Sequence, residues 1–157
     1  MPNKNESEEI LKQGKVAVVA AKWNSFITDE MMEAAVDALK SKGFSEEKVL
    51  QARCPGSFEL PLACKWYAEQ NEIIGVVAIG AVIRGGTPHF DYVCDAVTRG
   101  ITDLNLSTGK PVSFGVLTTD NVEQAMERAS VDKGNKGAEA ALALWDMLLL
   151  KRNMDSL

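Results

Sequence analysis

The sequence predicts an open α/β fold, in which a four-stranded parallel sheet carries helices on both faces. Two observations lead to this prediction. Four short apolar segments, rich in β-branched residues, are typical of strands buried on both faces. Each is followed by a segment with the apolar periodicity of a helix, and this alternation produces parallel sheets. Ligands of such sheets bind at the carboxyl ends of the strands, so a site is expected there.

The first third of the chain predicts an arm, a strand and a helix. Residues 1–14 are charged and are expected to form an N-terminal arm or a short edge strand, and residues 15–157 a single α/β domain. The run Lys15–Ala21 has the composition of a buried strand. In the helix after it, Thr28 is the predicted N-cap and Gly43 the predicted stop.

The middle of the chain predicts two strands and two helices. Lys48–Arg53 is a second, weaker strand, and the helix after it runs from about Phe58 to Gln70. Pro61 is tolerated because it lies in the first turn of that helix. The third strand is Ile73–Val82, and its first part, Ile73–Ile79, is apolar throughout apart from Gly75. Apolar residues at helical spacing then indicate a long helix: Val93, Val97, Ile101 and Leu104.

The last third predicts one more strand and two helices. Pro111–Thr118 is the fourth strand, and a short helix begins at Asp120 or Asn121 and continues through Ser130. The final helix runs from Ala138 to about Lys151 and is apolar over most of its circumference. Because one sheet face cannot cover so much apolar surface, we expect this helix to contact other subunits.

A glycine-rich turn follows the third strand and organises the predicted site. Gly85 and Gly86 let the backbone turn sharply and let a ligand approach closely. Thr87 is the predicted N-cap and Pro88 the first residue of the next helix, which leaves first-turn amides free to bind an anion. His89, the only histidine, lies beside them. The sequence indicates an anion pocket next to an acid/base; the alternative is a glycine turn with an incidental histidine.

Segments with unusual residues follow or end all four strands, so we expect them to converge at one edge of the sheet. They are Trp23-Asn24, Gly56–Glu59, Val82–His89 and Phe114–Thr118. Because the carboxyl ends of parallel strands meet at the same edge, this convergence predicts a small-molecule site.

Composition excludes several function classes. The net charge is −5 and the basic residues are scattered, so nucleic acid is not an expected partner. Residues 1–13 lack the apolar core of a signal peptide and no apolar run reaches membrane-spanning length, so we expect a cytoplasmic protein without a membrane partner. Three separated cysteines indicate reduced thiols in or near the core. No nucleotide loop, serine hydrolase elbow or metal cluster is apparent, which predicts a metal-free acid/base site with phosphate contacts.

Several motifs together resemble one enzyme family. VIRGGTPHFDYV, PGSFELP, AKWN, SFGVLTTD followed by EQAMERA, and GNKGAEAA are similar, in order and spacing, to segments of lumazine synthase. The resemblance covers roughly Lys15 to Met147. It implies a flavodoxin-like three-layer sandwich and a homo-oligomer built from pentamers, some of which form icosahedral shells, with riboflavin synthase as a candidate partner.

The resemblance also implies a reaction. Members of the family are transferases of riboflavin biosynthesis that join 5-amino-6-ribitylaminouracil to 3,4-dihydroxy-2-butanone 4-phosphate. The reaction gives 6,7-dimethyl-8-ribityllumazine, releases phosphate and water, and uses no cofactor. The alternatives are a flavin-binding or scaffold paralogue with low catalytic activity, and an unrelated flavodoxin-like binding or signalling domain.

Carried over by position, the resemblance assigns a role to each candidate residue. His89 would transfer protons, and Trp23 would stack on the pyrimidine. Backbone groups of Val82 and Ile83 would read the pyrimidine edge. The residues expected to hold the ribityl hydroxyls are Asn24, Gly56, Ser57, Phe58 and Glu59. The residues expected to bind phosphate, or to close the pocket from a neighbouring subunit, are Gly86, Thr87, Arg128, Phe114, Lys136 and Glu139.

Some of these residue types also have simpler explanations. Trp23 could be a core aromatic, and Glu59 a carboxylate favoured by the positive end of a helix. Arg128 could be a solvated helix charge. Lys136 and Glu139 could form a surface ion pair, which contributes little to stability.

Overall fold

A computed structural model describes residues 4–157. Its four strands form one parallel sheet in the order β2-β1-β3-β4. The strands are β1 Lys15–Ala21, β2 Val49–Cys54, β3 Ile73–Ile83 and β4 Val112–Thr119. The helices are α1 Lys4–Leu11, α2 Ser25–Ser41, α3 Leu60–Ala68, α4 His89–Thr108, α5 Val122–Ala129 and α6 Lys136–Met154. The flavodoxin-like α/β fold predicted from the sequence is therefore confirmed.

Helices cover both faces of the sheet and make three layers. On one face, α2, α5 and α6 pack their buried residues against alternate positions of the strands, and Leu11 of α1 joins this core. On the other face, α3 and α4 pack against the intervening positions. Strands β1 and β3 lie in the centre and are almost completely buried, which is why their sequences are apolar on both faces.

The strand order creates a crevice at the carboxyl edge of the sheet. From β1 the chain passes to β2 on one side, whereas β3 passes to β4 on the other. Between β1 and β3 the direction of winding reverses, so the connections after these strands diverge and leave a gap above the sheet. The sequence places Trp23, Asn24 and the glycine-rich turn directly after these two strands.

The N-terminal segment differs from the prediction of an arm or edge strand. Residues 4–11 form helix α1, which packs against α6, and its Ser7 is buried. The short charged segment places Leu11 against the core, and this contact explains why it is ordered as a helix. Residues 1–3 of the predicted arm lie outside the described residues.

Two predicted helix caps are wrong. Helix α2 begins at Ser25, with Asn24 at the N-cap position, and Thr28 lies inside the helix. The hydroxyl of Thr28 donates to the carbonyl of Ala21 at 2.7 Å, so it ties α2 to the end of β1. Helix α4 begins at His89 after Pro88, one residue later than predicted, because Thr87 Oγ1 accepts only a long 3.5 Å bond from the His89 amide.

The last helix has two apolar stripes. One is buried against the sheet and α2 and consists of Ala140, Ala141, Leu144, Trp145 and Leu148, with Gly137 at its start. The second is exposed and consists of Leu142, Met147, Leu150 and Met154. Within residues 4–157, no helix is sufficiently long and apolar to cross a bilayer.

Candidate active site

A cavity of about 560 Å³ opens above the carboxyl ends of β1 and β3. Three of the four predicted segments line it. Its walls are formed by Trp23, Asn24, Gly56, Ser57, Phe58, Glu59, Ala81, Val82, Ile83, Gly85, Thr87, His89, Phe90 and Val93. This volume is within the range of pockets that enclose small organic ligands.

The segment after β1 enters the cavity through a strained turn. Asn24 adopts the left-handed conformation, with φ of 60°, and its Nδ2 donates to the carbonyl of Ala81 at 2.9 Å. This bond joins the end of β1 to β3 and leaves the amide oxygen of Asn24 available to a ligand. Trp23 is 74% exposed at the cavity, so the alternative of a core aromatic is wrong.

The segment after β2 forms a short turn that presents a carboxylate. Ser57 is buried beneath it, and a Cβ at Gly80 would come within 2.6 Å of the Ser57 hydroxyl oxygen. The Glu59 amide donates to the carbonyl of Gly56 at 3.2 Å, and its carboxylate lies over that glycine. Glu59 is also the N-cap residue of α3, so the predicted helix-start carboxylate and the cavity carboxylate are the same group.

The segment after β3 is an open loop that leads into α4. No atom outside the chain neighbours lies within 4 Å of a Cβ built at Gly85 or Gly86, which leaves this loop accessible. Gly85 and Thr87 line the cavity, whereas Gly86 lies between them and is exposed without lining it. His89 is exposed and forms the first residue of α4, where its imidazole borders the cavity.

The fourth predicted segment does not line this cavity. Phe114 pairs in register with Ala78, well before the carboxyl end of β3, and β4 is an edge strand. Phe114 therefore lines a separate cavity of about 430 Å³. The fourth segment thus reaches the same edge of the sheet, where Thr118 pairs with Val82, but within one chain it lines a different cavity from the other three segments. This second cavity collects the remaining candidates Arg128, Lys136 and Glu139.

The two cavities carry different charges. Among the described residues that line the first, Glu59 is the single carboxylate and no lysine or arginine is present. The second contains Arg128, and Lys136 paired with Glu139 at 2.8 Å, as the ion-pair alternative predicts. Within the described part of the chain, the Arg128 guanidinium forms neither a hydrogen bond nor an ion pair, which leaves its charge available to an anion.

The thiols and carboxylates do not form a metal centre. Cys54 and Cys64 are buried and Cys94 is half-buried, and all three are free thiols, as the sequence predicted. Burial raises the pKa of the Cys64 thiol to about 12 and also raises the pKa of Cys54 and of Cys94, so these thiols are poor nucleophiles near neutral pH. Among residues 4–157, no three His, Cys, Asp or Glu side chains are grouped to hold a metal ion.

Part of the first cavity was not predicted from the sequence. Ala81, Phe90 and Val93 contribute apolar wall. In the sequence, Phe90 belongs to a motif and Val93 to the apolar stripe of a helix. Because α4 begins at His89, its first turn faces the cavity and brings both residues to the cavity wall. Arg84 was also missed: it lies beside the cavity and contacts Phe90.

Comparison with known protein families agrees with this geometry. The family model described as 6,7-dimethyl-8-ribityllumazine synthase matches residues 13–152. The match spans all four strands and both cavities, and it excludes only the ends of the chain. The chain therefore belongs to the 6,7-dimethyl-8-ribityllumazine synthase family.

Proposed function

We propose that this protein condenses 5-amino-6-ribitylaminouracil with 3,4-dihydroxy-2-butanone 4-phosphate to 6,7-dimethyl-8-ribityllumazine, with release of phosphate and water. Family membership supports a general role for this protein as a transferase of riboflavin biosynthesis. The proposal of this specific reaction is based on the candidate site residues and on their division between the two cavities.

The observation that carries the proposal is the complementarity of the two cavities. The first offers exposed aromatic rings at Trp23 and Phe58, a carboxylate at Glu59 and the imidazole of His89. These groups suit a flat heterocycle with a polyol chain. The second offers Phe114 and the free cation of Arg128. A phosphorylated substrate needs a cation that the first cavity does not contain, so we infer that a neighbouring subunit supplies it.

Exposed apolar residues support this shared arrangement. The second stripe of α6 is solvated in the single chain, and so are Phe26, Leu62 and Tyr92. Patches of this extent usually mark contacts with other chains. A ring of identical subunits, in which the second cavity of one faces the first cavity of the next, buries such surface and completes each site.

In the proposed reaction, much of the rate enhancement comes from holding the two substrates next to each other. Aromatic stacking and the hydroxyl contacts hold the pyrimidine, while Arg128 and the amides after Gly85 hold the phosphate. The amine attacks the ketone carbonyl and water leaves to give an imine; elimination of phosphate, ring closure and loss of a second water follow. His89 can accept and return the protons that these steps move.

The test is to incubate the purified protein with both substrates and follow the fluorescence of the lumazine product. We expect product with both substrates and none without the phosphorylated ketone. Binding of riboflavin without product formation would instead support the flavin-binding paralogue. A protein that neither forms product nor binds riboflavin would support the scaffold alternative.

A variant separates phosphate binding from general damage. Arg128→Ala should weaken use of the phosphorylated ketone by roughly 10- to 150-fold, since a charge-assisted contact contributes about 1.5–3 kcal/mol. Binding of the pyrimidine should change little. Arg152→Ala, beside a cavity near the amino ends of the strands, is the matched control and should behave as the parent. Equal losses for both substrates in Arg128→Ala would contradict the assignment.

A further inference from the structure

The side chain of Arg84 joins three segments around the first cavity, although it does not line that cavity itself. Arg84 follows β3, and its amide donates to the carbonyl of Thr119 at 2.8 Å. Its Nε donates to Asp120 Oδ1 at 3.0 Å, and one terminal nitrogen donates to Asp91 Oδ1 at 3.4 Å. The guanidinium carbon lies 4.2 Å from the centre of the Phe90 ring.

The contacts of Arg84 form a bridge from the start of α4 to Asp120, and the Asp120 end of this bridge is held by further hydrogen bonds. The Asp120 amide donates to Gln124 Oε1 at 2.9 Å, and the Gln124 amide donates to Asn121 Oδ1 at 2.8 Å. This pair of bonds is similar to a capping box and fixes the start of α5. The hydroxyl of buried Thr119 donates to the carbonyl of Asn121 at 2.9 Å. The backbone of Asp120, which carries the carboxylate bound by the guanidinium, is therefore fixed at the start of α5.

The near end of the bridge is the first turn of α4. Phe90 and Asp91 directly follow His89. Within the described residues, no hydrogen bond or ion pair holds the His89 imidazole, so the direction of this ring depends on the backbone of its turn. Without the guanidinium, Asp91 would lose its cation and the Phe90 ring would lose its contact with Arg84.

We propose that Arg84 is a positioning residue, which fixes the first turn of α4 against Asp120 and thereby sets the direction of His89 in the cavity. The proposal rests on the proposed function only for its kinetic consequences. Lysine cannot replace arginine here, because a single ammonium cannot reach both carboxylates and also cover an aromatic ring.

The first measurement needs no catalysis. His89 is the only histidine, so protein labelled with ¹³C-histidine gives one set of ring resonances. We expect Arg84→Gln to shift or broaden these resonances. Arg99→Gln, which removes the solvated ion pair with Asp95 on the same helix, should leave them unchanged. Unchanged His89 resonances in a folded Arg84→Gln variant would overturn the proposal, whether or not the protein makes lumazine.

The second measurement is kinetic. Arg84→Gln should lower kcat about 10-fold while the KM of the pyrimidine changes less than 3-fold, and Arg84→Lys should recover only part of kcat. Asp120→Asn combined with Arg84→Gln should be no slower than Arg84→Gln alone, because both remove the same bridge. Additive losses, or a fall in activity that merely follows the unfolded fraction measured by circular dichroism, would contradict a positioning role. A parent protein that makes no product would refute the proposed function and leave the resonance test of Arg84 standing.

Discussion

At the scale of single residues, the structure separates groups that could do chemistry from groups that hold others in place. The His89 imidazole borders the cavity and has no hydrogen-bond partner among the described residues, as expected of an acid/base that must meet substrate. Asn24 has both roles, since its amide nitrogen ties β1 to β3 and its oxygen remains free. Residues that face the cavity with an unpaired polar group, such as these two, are the basis of the proposed function.

His89→Ala should lower turnover by about 10- to 100-fold, near the low end of the usual contribution of acid–base catalysis. Holding an amine and a ketone together supplies much of the rate without the imidazole. Substrate affinities should change little. Steady-state kinetics of the intact oligomer check this. Complete inactivation would show that the imidazole matters more than positioning.

Trp23 should allow the first cavity to bind riboflavin, because an exposed indole can stack on an isoalloxazine ring. Riboflavin titration should quench tryptophan fluorescence in the parent, and Trp23→Ala should lose most of that affinity. Trp66→Ala is the matched control, since Trp66 is exposed on α3 outside the cavity and should leave affinity unchanged. Equal affinity in parent and Trp23→Ala would refute the stacking role.

At the scale of elements, the approach of α6 to α2 accounts for the GNKG motif. Asn135 takes the left-handed conformation with φ of 45°, and α6 begins directly after it. A Cβ on Gly137 would overlap the carbonyl oxygen of Met31 in α2. This close approach brings Lys136 and Glu139, in the first turn of α6, to the wall of the second cavity.

Gly137→Ala should therefore destabilise the protein by about 1–3 kcal/mol, the usual cost of overpacking. Thermal unfolding followed by circular dichroism measures the effect. Gly86→Ala is the control, because its φ is not positive and its Cβ would meet open space. A Gly137→Ala variant as stable as Gly86→Ala would mean that α6 moves away from α2 at little cost.

Much of the fold could be predicted from local patterns, and the site only in part. Four apolar runs and the helical stripes between them place the strands within a few residues, because burial on both faces dictates their composition. The cap at Thr28 was mispredicted because its hydroxyl donates instead to the carbonyl of Ala21 at the end of β1, a contact between two elements. Thr87 accepts only a long local bond from the His89 amide, and Pro88 takes the N-cap position. The bridge made by Arg84 could not be predicted, since it joins residues 36 positions apart along the chain.

At the scale of the whole molecule, the account depends on the separation of the two cavities. The glycine-rich turn and Trp23 lie at the crevice between the central strands, whereas Phe114 lies on an edge strand and Arg128 on α5. Our central claim is that two adjacent subunits unite these half-sites. This claim predicts an obligate oligomer, and a monomer that retains full activity in sedimentation would contradict it.

The most direct test mixes two inactive variants. One carries Glu59→Ala with His89→Ala in the first cavity, and the other Arg128→Ala with Lys136→Ala in the second. After joint refolding at equal amounts, random assembly into rings places an intact first cavity beside an intact second one at about a quarter of the interfaces. The account predicts recovery of about a quarter of the parent's lumazine synthesis in the mixture. Activity no higher than the mean of the two variants, in oligomers shown to contain both chains, would contradict it.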